Sequence, residues 1–169
     1  SPIVAGNIGY AGLTEASGLA VSLSNPGVIW ANNDSGDGPV IYAMGLDGTY
    51  LGALTLTGAT ALDWEDMAVG PCGASECLYV GDIGDNGASR TDAVVYRVPE
   101  PVVDPVVPFE EMALDTWDVF PFSYPNGPRD AEALGVHPNE QVYIFSKYPT
   151  GTSEVYVFPV LTPDEPVEL

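Results

Sequence analysis

The chain has 169 residues, enough for one domain with a sizeable core, and its 46% apolar and 17% charged content excludes an intrinsically disordered polypeptide. A formal charge of −20, from 24 acidic residues against four basic ones, repels polyanions, so no nucleic-acid partner is expected. Membrane insertion is not expected either, because no apolar run approaches the roughly eighteen residues needed to cross a bilayer.

Glycine (19) and proline (16) punctuate the chain heavily, which suits short strands joined by tight turns and suits long helices poorly. In chain order, three blocks of related design emerge. The first opens with a carboxylate and a small apolar run, Glu15-Ala-Ser-Gly-Leu-Ala-Val21. A second strand with a central aromatic, Val28 to Ala31, runs into the acidic loop Asn32 to Asp37. Strands over Val40 to Ala43 and Tyr50 to Leu56 complete the block.

The second block repeats the order. Asp63-Trp-Glu-Asp-Met-Ala-Val69 is followed by Cys77 to Val80, the acidic loop Gly81 to Asn86, a strand over Ala93 to Val98 and a further one over Asp115 to Phe120. A Pro-rich insertion at 99–108 lengthens this block, and Pro108 to Leu114 is the one helix-like stretch, short enough to be a turn. The third block has Asp130-Ala-Glu-Ala-Leu-Gly-Val136, then Val142 to Phe145 and Glu154 to Phe158, with Ser146-Lys-Tyr148 where the other blocks carry acids. Residues 161–169 read as a connector.

Four short antiparallel strands rich in β-branched and aromatic residues form one blade of a β-propeller. The expected fold is therefore all-β, a partial propeller of about three blades, near 10–58, 60–124 and 128–160. Propellers close with at least four blades. The remaining blades are expected from the same longer polypeptide or from another chain, because an open blade edge exposes unpaired backbone groups.

Aligning the blocks by their anchors places Glu15, Glu65 and Glu132 together on the strands that would line a central channel. Converging carboxylates need a cation, basic partners or raised pKa values. Arg90, Arg129 and Lys147 lie in or beside the motifs as internal partners, and functional use of the three glutamates, as metal ligands or as a catalytic acid/base pair, is the alternative. Asp34, Asp37, Asp82, Asp85 and Asn86 offer hard oxygen donors in Gly-bearing loops, the chemistry calcium selects. Asx turns account for the same residues without a metal.

Cys72 and Cys77 have no nearby histidine or further cysteine to build a zinc site, while a short loop-closing disulfide is geometrically possible. That bond implies an oxidising compartment, and with a chain opening at Ser1 the expected location is extracellular or periplasmic. His137, in His-Pro-Asn, reads as a turn residue. Ser17 and Ser35 lack a nucleophile-elbow context, so serine-hydrolase chemistry is disfavoured.

The segments Asn33 to Gly36, Asp63 to Asp66, Asp82 to Asn86, Tyr96 to Pro101 and Asp130 to Leu134 together resemble a group of secreted bacterial β-propeller proteins. Some of that group are similar to esterase-like or phytase-type six-bladed propellers. The resemblance implies a six-bladed ring, of which this chain spans about half, and calcium-dependent phosphoric ester hydrolysis as one activity. A non-catalytic, calcium-stabilised module for binding or for extracellular or envelope assembly is the other expectation, favoured by the scarcity of basic side chains that hold phosphate.

Overall fold

A computed structural model describes residues 3–109, 111–148 and 151–169. Among the described residues there are thirteen strands in three sheets and no helix, so none is long and apolar enough to cross a membrane. The fold is all-β, as composition and turn spacing require.

The first sheet is an antiparallel meander of β1 (Ala16–Val21), β2 (Val28–Asn33), β3 (Val40–Gly45) and β4 (Tyr50–Leu56). The second runs β5 (Trp64–Cys72), β6 (Ser75–Asp82), β7 (Val94–Pro99) and β9 (Asp118–Ser123) in the same way. The third holds β10 (Ala131–Val136), β11 (Val142–Ser146) and β12 (Val155–Val157).

Two short strands alter the picture drawn from sequence. β8 (Met112–Leu114) pairs parallel to β4, and β13 (Val167–Glu168) pairs parallel to β9. The helix-like stretch 108–114 therefore ends in a strand, with Glu110 outside the described residues. The Pro-rich insertion 99–108 and the connector 161–169 serve one purpose. Each carries the chain from the third strand of its own sheet to the outer edge of the preceding one, where it adds a fifth strand. β9 itself begins at Asp118 rather than Asp115.

The first strands of the three sheets, β1, β5 and β10, lie beside one another. Period-2 alternation gives each sheet two faces, and the apolar residues of adjacent faces form the core. Trp30, Ile41 and Leu54 of the first sheet pack with Trp64, Met67 and Val80 of the second. Tyr79, Val95 and Phe120 on the other face of the second pack with Leu134 and Ile144 of the third. Gly70 is required at that second contact, because a Cβ there would overlap the Val136 side chain.

A disulfide joins Cys72 to Cys77 at the turn end of the β5–β6 hairpin, with the Cα atoms 5.8 Å apart. Gly73, at φ +70°, opens the two-residue turn, where a positive φ favours glycine. The bond is compatible with an oxidising compartment.

A buried glutamate clamps the first two sheets together. Glu100, just beyond β7, accepts hydrogen bonds from Ser22 Oγ, from Trp30 Nε1 at 2.7 Å and from the Ser24 amide at 3.0 Å. Burial pushes its carboxyl up, but these donors outweigh burial and hold it below the ordinary range. The Glu100 contribution is therefore present above the usual carboxylate pKa and is lost as pH falls. Replacing Glu100 by Ala strands buried donors on the first sheet, and the expected loss is about 3 kcal/mol. Thermal denaturation should show this as a Tm lower by about 6–12 °C.

Candidate cation site

The same irregularity recurs in all three inner strands. Pairing of β1 with β2 gains one extra residue between Ala16 and Leu19, that of β5 with β6 gains one between Trp64 and Asp66, and that of β10 with β11 gains one between Ala131 and Ala133. A β-bulge takes one residue out of the ladder and re-aims its side chain. In the second and third sheets the bulged residues are Glu65 and Glu132.

The backbone confirms the register. The Asp34 amide bonds to the Glu15 carbonyl, Ile83 to Asp63 and Lys147 to Asp130, at 3.0, 3.2 and 2.8 Å. Glu15 thus occupies the position of Asp63 and Asp130, and Ser17 occupies that of the two bulged glutamates. The alignment of Glu15 with Glu65 and Glu132 is corrected by this two-residue offset. Glu15 is exposed and lines a surface depression with Asn33, Ser35 and Asp37.

Five carboxylates converge at the inner edge. Oxygens of Asp34, Asp63 and Glu65 lie within 4.8 Å of one another, and so do oxygens of Glu65, Asp130 and Glu132. Glu65 belongs to both triads, and it alone of the five is buried. Gly84 makes room for the first triad, because a Cβ there would collide with Asp63 Oδ2 and Glu65 Oε1. An all-oxygen carboxylate set fits a hard divalent cation such as calcium and does not fit a thiophilic metal.

The surrounding hydrogen bonds hold this arrangement in place. Asp82, fully buried at the end of β6, accepts the amides of Leu62 and Asp63 at 3.0 Å each and pairs with Arg90 at 2.8 Å. Arg90 also donates to the Gly84 carbonyl at 2.7 Å, which ties down the loop beside the first triad. Asp130 accepts the Asp85 amide at 2.8 Å, linking the second and third sheets. Lys147 stands in the third sheet where Asp34 stands in the first, and it pairs with Glu132 and, at 3.5 Å, with Asp130.

Most of the loop oxygens expected to bind metal serve the loops themselves. Asp37 accepts from Tyr42 Oη, Asn33 Nδ2 and the Gly38 amide. Asp85 accepts the amides of Ser89 and Arg90, and Asn86 is exposed on the same loop. Of the five, Asp34 joins a triad. Arg129 lies 3.6 Å from Glu154 and over the Tyr148 ring, so among the described ion pairs Lys147 meets one of the three aligned glutamates, Glu132, while Arg90 and Arg129 pair elsewhere. Exposed His137 bonds Asn139 within its turn.

Asp63 and Asp130 are the site residues that sequence reading missed. Their signal was present as the Asp-x-Glu that opens the second and third anchors. No family model matches the chain, and no curated protein matches it.

Burial, followed by the charges of Glu132, Asp34, Asp63 and Asp130, pushes the Glu65 carboxyl up from 4.5 to about 8. Burial and the Asp34 charge also raise Asp63. Without a cation, folded Glu65 keeps its proton to about pH 8, while the unfolded chain releases it near 4.5. Folded protein then binds more protons across that window, so stability falls as pH rises through it. In chelator, the Tm at pH 8.5 should lie about 5 °C or more below that at pH 5.5. Glu65→Gln should flatten the dependence, and an equal slope in that variant would contradict the assignment.

Proposed function

We propose that the three sheets are consecutive blades of a β-propeller, and that the chain is a calcium-stabilised binding module of an extracellular or envelope assembly. The observation that carries the reading is the meeting of five carboxylates from three sheets around one buried glutamate. Lys147 offsets part of that charge from one side. Divalent cations held beside Glu65, by Asp34 and Asp63 on one side or by Asp130 and Glu132 on the other, neutralise the rest, with main-chain carbonyls and water filling the six to eight positions calcium takes.

The propeller reading is supported by three meanders of the same strand order, with their first strands adjacent and a bulge at one shared position. The disulfide supports an extracellular or periplasmic location.

A second reading, calcium-dependent phosphoric ester hydrolysis, is favoured by one feature. Glu65 is shared by both triads, so two cations could share it and flank one ester oxygen.

Calcium titration of thermal stability separates these readings when run beside a generic phosphoester assay. At a hundredfold excess over its Kd, calcium should add about 2.7 kcal/mol, raising the Tm by about 5–11 °C. Glu65→Gln and Gly84→Ala should each abolish the increment while the far-ultraviolet circular dichroism of the strands persists. Stabilisation without turnover supports the module. Turnover abolished by chelator replaces it with the hydrolase, and no calcium response in the native chain overturns both.

A further inference from the structure

The acidic inner edge is built twice, once where the first sheet meets the second and once where the second meets the third. Asp63 and Glu65 hold the same places at the start of β5 as Asp130 and Glu132 hold at the start of β10, since the Ile83 amide bonds to the Asp63 carbonyl as the Lys147 amide bonds to that of Asp130. At the first junction the third ligand comes from the preceding sheet, as Asp34 just past β2. At the second junction the place of Asp34 is held by Ile83, which is 1% exposed and packs in the core between the second and third sheets. The second triad therefore has only two acids of its own and is completed by borrowing Glu65 from the first.

A positive charge already stands at the second junction. The Lys147 main chain is fixed by its 2.8 Å bond to the Asp130 carbonyl, and its ammonium pairs with Glu132 and, at 3.5 Å, with Asp130. Among the described ion pairs none reaches the first triad, because Arg90 on that side is taken up by Asp82 and Asp92. Glu65 is 6% exposed, its carboxylate is aimed at Asp34 and Asp63, and among the described residues it accepts no hydrogen bond. A buried carboxylate without a partner is costly, so the unmet charge lies at the first junction.

We infer that the two junctions are completed in different ways: the first by one divalent cation on Asp34, Asp63 and Glu65, and the second by the ammonium of Lys147, which excludes a second ion. The inference rests on the cation reading of the Glu65 site and adds which triad is filled and how many ions each chain takes. A divalent ion on Asp130 and Glu132 would lie beside the ammonium, and like charges repel strongly at a partly desolvated edge. The ammonium would have to leave both carboxylates before an ion could enter. A single side chain thus prevents the pair of cations that phosphoric ester hydrolysis would use here.

Titration calorimetry with calcium, read as ions bound per chain, tests the exclusion. The native chain should bind one ion. Lys147→Gln, which removes the ammonium, should bind two, the second more weakly because both ions share Glu65. Lys147→Arg keeps the charge and should stay at one. Asp34→Asn should weaken the single ion of the native chain at least about tenfold, since affinity follows the count of charged ligands, and Glu132→Gln should weaken it less. Circular dichroism of the strands should be unchanged in all four variants.

Two ions in the native chain, or one in Lys147→Gln, would overturn the exclusion and leave the cation reading standing. Two ions in Lys147→Arg would overturn the role of the charge. Binding that survives Asp34→Asn and is lost in Glu132→Gln would place the ion at the second triad and overturn the assignment. No ion bound by the native chain at millimolar calcium would overturn both the inference and the reading beneath it.

Discussion

Like charges held within 4.8 Å at a partly buried edge repel one another, and the inner ends of these three sheets hold five carboxylates as two such triads that share Glu65. The backbone leaves them little freedom to separate. Bulges in β5 and β10 turn Glu65 and Glu132 out of their ladders, and Asp82 fixes the segment that delivers Asp63 by accepting two of its amides. The electrostatic cost therefore has to be met by protonation, by Lys147 or by a bound cation. Protonation is the response of the isolated chain, which is why Glu65 titrates so far above an ordinary carboxylate.

Two buried acids show how environment decides the sign of such an effect. Glu100 and Glu65 are both glutamates in low-dielectric surroundings. Glu100 meets neutral donors from the first sheet and is held in its charged form, so it stabilises the sheet contact. Glu65 meets other carboxylates and is held in its neutral form. One serves as a clamp between sheets, and the other provides a reason for a ligand to bind.

Much of the fold was legible in the sequence because the features that carry it are local. Strand identity followed from alternation and from the Gly, Asn, Asp and Pro residues that bound each run, and the repeat followed from anchors seven residues long. The two edge strands were hidden because three residues such as Met112–Leu114, and two such as Val167–Glu168, have too little pattern to declare themselves; only the neighbouring sheet makes them strands. The site was half legible for a related reason. Glu65 and Glu132 were found as repeated residues, but Glu15 was matched to them by residue type and not by its place in the seven-residue anchor, where it stands level with Asp63 and Asp130. Ser17 holds the bulged place in the first block, and with no acid there Glu15 was aligned where Ser17 belongs, while Asp63 and Asp130 were passed over.

The central claim is that these acids form one cation site and not a set of independent surface charges. Terbium, a luminescent mimic of calcium, tests it directly, because Trp64 lies between two of the ligands and can sensitise an ion bound there. The account predicts tryptophan-excited terbium emission that saturates at no more than two ions per chain, one for each triad, and is displaced by calcium and lost in Glu65→Gln. Emission that rises without saturation, or that is equal in the native chain and in Glu65→Gln, would contradict it.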